Sequence, residues 1–332
     1  MRTKLVLACT VLAALVVTAL GAAAPEKTIR VGLVTDIGGL HDRGFNQLSY
    51  AGLKQAQSKL GVDGRVLLSK QSAEYVPNLS TLAKRHYDLV IAVGFLMTDA
   101  VDAVAPRFPH TSFAIIDVDQ TTLKHKPKNV RGLLFREQEG GYLIGYLAGL
   151  VAKHQGGRQV VGVVGGIKIP PVDRFAAGYE AGAKAADPGI KVLLDYSNDF
   201  VAQAKCKEIG LNQIAQGSQV VFAVAGGCGL GALDAAKEKG VWSLGGDADQ
   251  SYLGPEILSS ELKKVDVSVY DTIRDVAAGR FKGGGNSLFT AANGGIGIGK
   301  ISAKIPKSVV AREQAVVAKM HAGKIRNIPT SP

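Results

Sequence analysis

The stretch that decides the fold of this chain is residues 34–52, which read V-T-D-I-G-G-L-H-D-R-G-F-N-Q-L-S-Y-A-G. It continues the apolar run Ile29–Val34 and leads into Leu53–Leu60, which has helical spacing. The order predicts a strand, a loop with a Gly-Gly pair and two Asp residues, and a helix that begins near Phe45 and Asn46. A carboxylate, an aromatic ring and a side-chain amide would then lie at the carboxyl end of a strand. Open α/β sheets bind ligands there, so the stretch predicts half of a small-molecule site.

Apolar strand-like runs alternate with helical runs over most of the chain, which predicts parallel sheets built from β-α-β units. The pattern reaches a joint near Phe135–Glu137 and restarts with a strand at Gln159–Val164, so two Rossmann-like lobes are expected. About 300 residues also exceed what one core usually holds. Glu261–Arg280 is predicted to cross back to lobe one, and Asn286–Gly299 to contain a strand and a turn. The expected boundaries are 27–136 with about 262–288 for lobe one, and 137–261 with about 289–332 for lobe two.

The first residues have the composition of a secretory signal peptide. Arg2 and Lys4 precede the apolar run Leu5–Leu20, and Gly21–Ala24 is a run of small residues at which cleavage is expected. Residues 1–23 are therefore predicted to be removed, and the mature chain to be exported to the periplasm or the outer face of the cytoplasmic membrane. Leu7-Ala8-Cys9 looks like a lipoprotein box but precedes most of the apolar run, which leaves lipid anchoring open.

The charge of the chain argues against a nucleic-acid partner. The net charge is +11, but the basic residues are dispersed and aromatic residues make up only 6% of the chain. An exported protein also meets little nucleic acid. We interpret the charge as favouring solubility and attraction to an anionic membrane surface.

Five motifs, in order along nearly the whole mature chain, resemble the signatures of the Bmp/PnrA-like basic membrane lipoprotein family. They are D-I-G-G-L-H-D-R-G-F-N-Q at 36–47, G-G-I-K-I-P-P-V-D-R-F at 165–175 followed by A-G-Y at 177–179, A-G-G-C-G-L-G at 225–231, G-D-A-D-Q at 246–250, and L-K-K-V-D-V-S-V-Y at 262–270. The chain departs from the family at Cys228, where Thr is more frequent, at Gly246, where a branched residue is common, and in its displaced lipoprotein box.

The resemblance implies a fold and a function. The fold would be type I periplasmic-binding-protein-like, with two Rossmann-like lobes joined by a hinge. The function would be that of an extracytoplasmic receptor of an ABC importer, a monomer that binds a purine nucleoside between its lobes and delivers it to a membrane permease. No cofactor is implied.

A nucleoside needs stacking partners and hydrogen-bond acceptors for its base, and the matching motifs supply both. Phe45 and Phe175 are expected to stack on opposite faces of the base, although an isolated Phe is more often part of a core. Asp117 ends the apolar run S-F-A-I-I-D and can accept from a purine N1–H or exocyclic amine. Asn46 can donate and accept, which suits a ring nitrogen or the sugar, and the family pattern places Asp36 in the same pocket. They can equally cap the turn and the helix that follow, and the two roles can coexist.

The other residues singled out by the motifs are expected to contact the sugar, to bring the backbone close to the ligand, or to cap a helix. Asp247 follows the run V-W-S-L-G-G and is expected to accept from two vicinal ribose hydroxyls. Lys263 can donate to a sugar oxygen or pair with a carboxylate, while a surface lysine is the alternative. Gly226 and Gly227 would allow close approach of the backbone, with free N–H groups at a helix start. Asp42 is expected to cap the following helix rather than to contact the ligand.

Two cysteines remain after cleavage, an even number in an oxidising compartment. Cys206 and Cys228 are both expected at the carboxyl edge of the lobe-two sheet. A structural disulfide between them is therefore predicted, and two buried thiols are the alternative.

The sequence contains none of the common catalytic signatures. Its six His residues are scattered, H-E-x-x-H and G-x-S-x-G are absent, and the glycine loops lack the Lys-Ser/Thr of a P-loop. We therefore expect a binding protein without a metal, not an enzyme. One alternative keeps binding but changes the ligand to a sugar, an autoinducer or another small metabolite. The other is a nucleoside hydrolase, which would require several carboxylates of the set Asp36, Asp42, Asp117 and Asp119 to converge on one cation.

Overall fold

The computed structural model describes residues 28–332, so the predicted signal peptide and Cys9 lie outside the described residues. The strands of this part are β1 Arg30–Thr35, β2 Asp63–Leu67, β3 Leu89–Val93, β4 Ser112–Ile116, β5 Val130–Phe135, β6 Val160–Gly165, β7 Lys191–Tyr196, β8 Ser218–Val224, β9 Trp242–Gly245, β10 Ile257–Lys263, β11 Gly285–Phe289 and β12 Ile296–Ile298. The helices are α1 Phe45–Leu60, α2 Tyr75–Lys84, α3 Thr98–Val104, α4 Glu137–Gln155, α5 Pro170–Ala186, α6 Gln203–Ala215, α7 Gly226–Lys239, α8 Val265–Ala277 and α9 Lys307–His321.

The strands form two sheets, and each sheet is the centre of one lobe. In lobe one the strand order is β11-β5-β4-β3-β1-β2, and all neighbours run parallel. In lobe two the order is β12-β10-β9-β8-β6-β7, and β12 alone runs antiparallel, along β10. The predicted fold class, two parallel α/β lobes of like architecture, is confirmed.

The chain crosses between the lobes at the ends of three strands. After β5 ends at Phe135, α4 begins the second lobe, and after β10 ends at Lys263, α8 returns to pack on α1 of the first. The predicted single strand within Asn286–Gly299 is two strands, β11 in the lobe-one sheet and β12 in the lobe-two sheet. Strands of five and three residues are too short for periodicity to separate them.

Glycines allow two helices to meet closely beside the hinge. A Cβ atom at Gly141 or Gly145 of α4 would overlap the backbone of Phe175 or Tyr179 of α5. Only glycine permits this approach of two backbones. The contact holds the first turns of α5 beside the start of α4. The side chains of both helix starts are therefore positioned at the cleft between the lobes.

Candidate functional site

Residues that follow the carboxyl ends of strands in both sheets line one cleft between the lobes. It encloses about 590 Å³ of empty space, part of it open to solvent. Eight of the predicted ligand contacts line it: Asp36, Phe45, Asn46, Asp117, Phe175, Gly226, Asp247 and Lys263. Gly227 lies one residue further along α7 and is not part of this lining; its Cβ position is 3.8 Å from the Cα atom of Asp42.

The lobe-one loop presents hydrogen-bond acceptors to the cleft. Asp36 Oδ1 accepts from the Gly38 N–H at 2.9 Å and from Asn46 Nδ2 at 2.7 Å. The amide orientation that makes this bond leaves Asn46 Oδ1 buried without a hydrogen-bond partner among residues 28–332. Burial raises the pKa of Asp36 to about 6, although the bond from Asn46 opposes the shift.

Asp42 holds the start of α1. Its carboxylate accepts from the backbone N–H groups of Asn46 at 2.7 Å and of Gly44 and Gln47 at 3.1 Å each. These N–H groups have no partner within the helix, so the carboxylate satisfies them and complements the helix dipole. Phe45, the first residue of α1, is thereby held at the cleft.

A buried charge network joins the lobes at the back of the cleft. Lys263, at the end of β10, is 1% exposed, and its Nζ lies 2.8 Å from Asp117 Oδ2 and 3.0 Å from Glu137 Oε1. Glu137 begins α4, and its Oε2 accepts from Arg174 Nε of α5 at 2.6 Å. Asp117 belongs to lobe one, whereas Lys263 and Arg174 belong to lobe two, so the network spans the hinge.

Proton affinities in this network follow from burial and charge. Burial raises the pKa of Asp117 to about 6, although Lys263 lowers it. Burial also opposes ionisation of Glu137, but the attraction of Lys263 and Arg174 outweighs it, so the pKa of Glu137 lies below its usual value. The surrounding carboxylates raise the pKa of Lys263 above its usual value despite burial. The lysine is therefore a fixed positive charge in the cleft wall.

Asp247 lies opposite, in lobe two, two residues after the end of β9 and with a left-handed backbone (φ 64°). Its main chain is held by β10, since its N–H donates to Glu261 Oε2 at 3.3 Å and its carbonyl accepts from the Lys263 N–H at 2.9 Å. Burial raises the pKa of Asp247 to about 7. The positive charge of Lys263 lowers this pKa, whereas the negative charge of Asp42 raises it further. A Cβ atom added at Gly44 of lobe one would lie 3.2 Å from Asp247 Oδ2, so the lobes are in contact here.

Four phenylalanines line the cleft, and they differ in exposure. Phe95 of lobe one, which sequence reasoning missed, is half-buried. Phe45 is half-buried, and its ring centre lies 5.1 Å from Lys263 Nζ. Phe175 is only 3% exposed and packs edge-on against Phe222 in the lobe-two core, with centroids 6.3 Å apart. Phe200, which sequence reasoning missed, is half-buried and lines the cleft from the loop after β7. Its position after the carboxyl end of a strand was the signal that could have identified it.

A disulfide joins Cys206 of α6 to Cys228 of α7, with Cα atoms 5.6 Å apart. The backbone N–H of Cys228 donates to the carbonyl of Phe200 at 3.0 Å. The disulfide therefore ties α6, which follows the Phe200 loop, to α7, which contacts that loop.

A family model described as "ABC transporter substrate-binding protein PnrA-like" matches residues 29–328. The chain belongs to this family. The CD4+ T-cell-stimulating antigen of Listeria monocytogenes is 34% identical to it over 329 residues, which cover 92% of this chain and 90% of the relative. The ABC transporter nucleoside-binding protein BmpA of Lactococcus lactis subsp. cremoris is 32% identical over 302 residues, 84% of each chain. The solute-binding protein of an Aeropyrum pernix K1 ABC transporter system superimposes with a TM-score of 0.82 at 28% identity, covering 91% of this chain and 94% of that one.

As a PnrA-like protein, the chain is the substrate-binding protein of an ABC transporter, and the family is one of binding proteins rather than of enzymes. Membership implies a ligand, a membrane permease as partner, and a place outside the cytoplasm. Between residues 28 and 332 no helix is long and apolar enough to cross a membrane.

The carboxylates from which a hydrolase would build a metal site do not form one in the described residues of this PnrA-like protein. Asp36, Asp42 and Asp117 line the cleft, but Asp119 accepts from the side-chain amide of Asn286 at 2.7 Å outside it. Within the described residues no group of three His, Cys, Asp or Glu side chains could hold a metal ion. The two members of the charge network that sequence reasoning missed are Glu137 and Arg174.

Proposed function

We propose that this PnrA-like protein is a monomeric receptor for a purine nucleoside, which it binds in the cleft and delivers to its permease at the outer face of the cytoplasmic membrane. The observation that carries the proposal is the chemistry of the cleft walls. Aromatic rings enter from both lobes, acceptors for a base edge lie on lobe one, and a carboxylate suited to a ribose lies on lobe two. The name of the Lactococcus lactis relative, a nucleoside-binding protein, supports this ligand class.

The base is proposed to lie between Phe45 of lobe one and an aromatic ring of lobe two. Stacking on one aromatic side chain contributes about 1–3 kcal/mol per base. Phe200 is better placed for this than the sequence-based choice, Phe175, because a half-buried ring still has a face to offer. In this arrangement Phe175 forms the inner wall of the pocket.

The base edge is proposed to donate hydrogen bonds to lobe one. Asn46 Oδ1 has no partner among residues 28–332, and the carboxylates of Asp36 and Asp117 accept beside it. Such acceptors suit the N–H groups of a purine edge. A buried acceptor that lacks a partner is unfavourable by about 1–3 kcal/mol, so a ligand that supplies the donor recovers this free energy.

The ribose is proposed to lie against lobe two. An ionised Asp247 would accept from two vicinal hydroxyls, as a carboxylate does in dinucleotide sites. Lys263 has three N–H donors, and two of them point to Asp117 and Glu137, which leaves one for a sugar oxygen. The backbone at Gly226 (φ 53°) can approach the ligand closely because it has no side chain.

Binding is proposed to stabilise closure of the lobes. Gln250 Nε2 of lobe two already donates to the Arg43 carbonyl of lobe one at 3.1 Å, so the two edges of the cleft meet. A ligand that contacts both walls favours this closed arrangement over an open one, and the permease would then distinguish the loaded receptor from the empty one.

Calorimetric titration against purine nucleosides, free bases, ribose and other sugars tests the ligand class. We expect a nucleoside to bind and to be recovered intact. Release of base and ribose would favour the hydrolase, and binding of a sugar alone would favour another receptor class.

Single Ala variants then test the walls of the pocket. We expect Phe200→Ala, Phe175→Ala and Asp247→Ala each to weaken nucleoside binding without unfolding the protein, and Phe200→Ala to weaken it more than Phe175→Ala. Phe108→Ala is a matched control, because Phe108 is half-buried before β4, at the sheet edge away from the cleft. If the Asp247 and both cleft Phe variants bind like the parent, the pocket is wrongly assigned.

A further inference from the structure

Positive charge is concentrated in the C-terminal part of this chain. Residues 304–326, which we call the basic segment, contain six Lys/Arg and one Glu, a net charge of five out of +11 for the whole sequence. The six are Lys304, Lys307, Arg312, Lys319, Lys324 and Arg326. The segment contains α9 and the turns on both sides of it.

The charges of the basic segment face solvent and are not neutralised. All six basic side chains are exposed, and none of them forms an ion pair within residues 28–332. The single acid, Glu313, is 0% exposed, so it offers no negative charge to the surface. By contrast, Lys207 on α6 pairs with both Asp234 and Glu238 of the neighbouring helix.

The segment is firmly attached to the body of the protein. Val309 on the inner side of α9 belongs to the lobe-two core, whereas Val316 and Met320 belong to the lobe-one core. The outer side carries small exposed residues, including Ala311 and Ala315. Lys307, Arg312 and Lys319 are exposed on the same helix, and their side chains are longer than these alanines, so they can reach a partner that approaches this side.

A partly apolar groove lies beside the basic segment. Half-buried Ile301, Val310 and Val317 line a groove between α9 and β12 that contains about 830 Å³ of partly open space. A cluster of Lys and Arg on a surface helix is the pattern that attracts anionic lipid headgroups. None of the residues of the basic segment lines the ligand cleft.

We propose that the basic segment docks this protein on the anionic phospholipid surface of the membrane that contains its permease. The proposal rests on family membership, which places the protein beside a membrane, and is independent of the ligand in the cleft. Docking through α9 keeps the receptor near the permease while both lobes remain free to contact it. The attraction is electrostatic, so salt weakens it.

Vesicle sedimentation tests the docking with the processed chain, because the apolar leader would itself bind lipid. The probes are vesicles with about one-third phosphatidylglycerol and vesicles of phosphatidylcholine alone. We expect binding only to the anionic vesicles, and less of it as salt is added. The test variant is the triple substitution Lys307→Gln, Arg312→Gln and Lys319→Gln, which removes three exposed charges from α9 while keeping good helix formers.

The expected loss is on the order of 100-fold in apparent affinity for anionic vesicles, about fivefold for each charge removed. The matched control removes three exposed basic side chains without ion pairs from lobe one, through Lys84→Gln, Arg85→Gln and Arg107→Gln, and should retain most of the binding. Unchanged melting temperatures establish that both variants are folded.

Three outcomes overturn the proposal. In the first, the parent does not bind anionic vesicles, and in the second, the α9 variant binds them like the parent. In the third, the control variant loses as much affinity as the α9 variant, which would show that only total charge matters. Nucleoside titrations of the same samples test the proposed function separately. A protein that docks on vesicles but binds no nucleoside contradicts the proposed function alone.

Discussion

Replacing Lys263 by Met tests the buried charge network. The substitution keeps an unbranched side chain, one atom shorter, and removes a charge that lies 2.8 Å from Asp117 and 3.0 Å from Glu137. Coulomb attraction at these distances is about 5–6 kcal/mol per pair at an effective dielectric constant of 20, and desolvation offsets much of it. Removal of one partner from a buried ion pair typically lowers the free energy of unfolding by about 3–5 kcal/mol, because the other charge stays buried. Glu137 keeps Arg174, so most of the loss arises at Asp117.

Urea unfolding followed by circular dichroism measures the loss. Without Lys263 the pKa of Asp117, already raised to about 6, rises further, so the folded variant binds a proton more tightly than the unfolded chain does. The loss should therefore be largest well above pH 6, shrink as pH falls toward about 6, and change little below it, where the Asp117 carboxyl is neutral in both folded proteins.

Two further variants make the test specific. Lys264→Met is the matched control, since Lys264 is only half-buried and has no ion pair within the described residues, and it should change stability by less than about 0.5 kcal/mol. The double variant Lys263→Met with Asp117→Asn should be more stable than Lys263→Met alone, because no unpaired charge is left at that position. If Lys263→Met behaves like Lys264→Met at neutral pH, the reasoning about the network is refuted.

Three other predictions follow from the titrating groups and the disulfide. The pKa of Asp247 is raised to about 7, so nucleoside affinity should fall by roughly tenfold or more between pH 8 and about pH 5.5, and titration of Asp247→Asn should lack most of this dependence. Glu313 is buried, and its pKa is raised from 4.5 to about 8, so the folded state binds its proton more tightly and parent stability should fall as pH rises between those values. Glu313→Gln should remove that fall and be more stable than the parent at pH 8, by on the order of 3 kcal/mol in urea unfolding; a parallel pH dependence in both proteins would contradict it. Replacing Cys206 and Cys228 together by Ala should lower the free energy of unfolding by roughly 3 kcal/mol, given a sequence separation of 22, and equal stability would exclude a disulfide in the folded protein.

Local signals made much of lobe one predictable. The loop of residues 34–52 contains its own strand end, its glycines and the capping carboxylate of Asp42, whose bonds reach no further than Gln47. Alternation of apolar and helical runs predicted parallel sheets, because both faces of such strands are buried by helices. The topology of parallel sheets then placed Asp36, Asp117 and Asp247 at facing strand ends before any side chain was positioned.

Partners that are distant along the chain were not predictable from these signals. Lys263 is separated from Asp117 by 146 residues and from Glu137 by 126, and periodicity states which face a residue occupies but not which residue it meets. Sequence reasoning chose Phe175 by its motif, whereas the fold packs that ring into the lobe-two core and leaves Phe200 half-buried at the cleft.

The sequence by itself therefore determined the class of the fold, the edge of the sheets at which a ligand site would lie and the capping of its first helix. These depend on patterns within a few residues, where propensity, capping and burial act together. Only the tertiary structure decided which carboxylates share Lys263, which aromatic rings stay half-buried at the cleft, and that residues 286–299 divide between two sheets. Those outcomes depend on how the chain crosses between the lobes, and the free energy of each contact exists only once both partners are buried together.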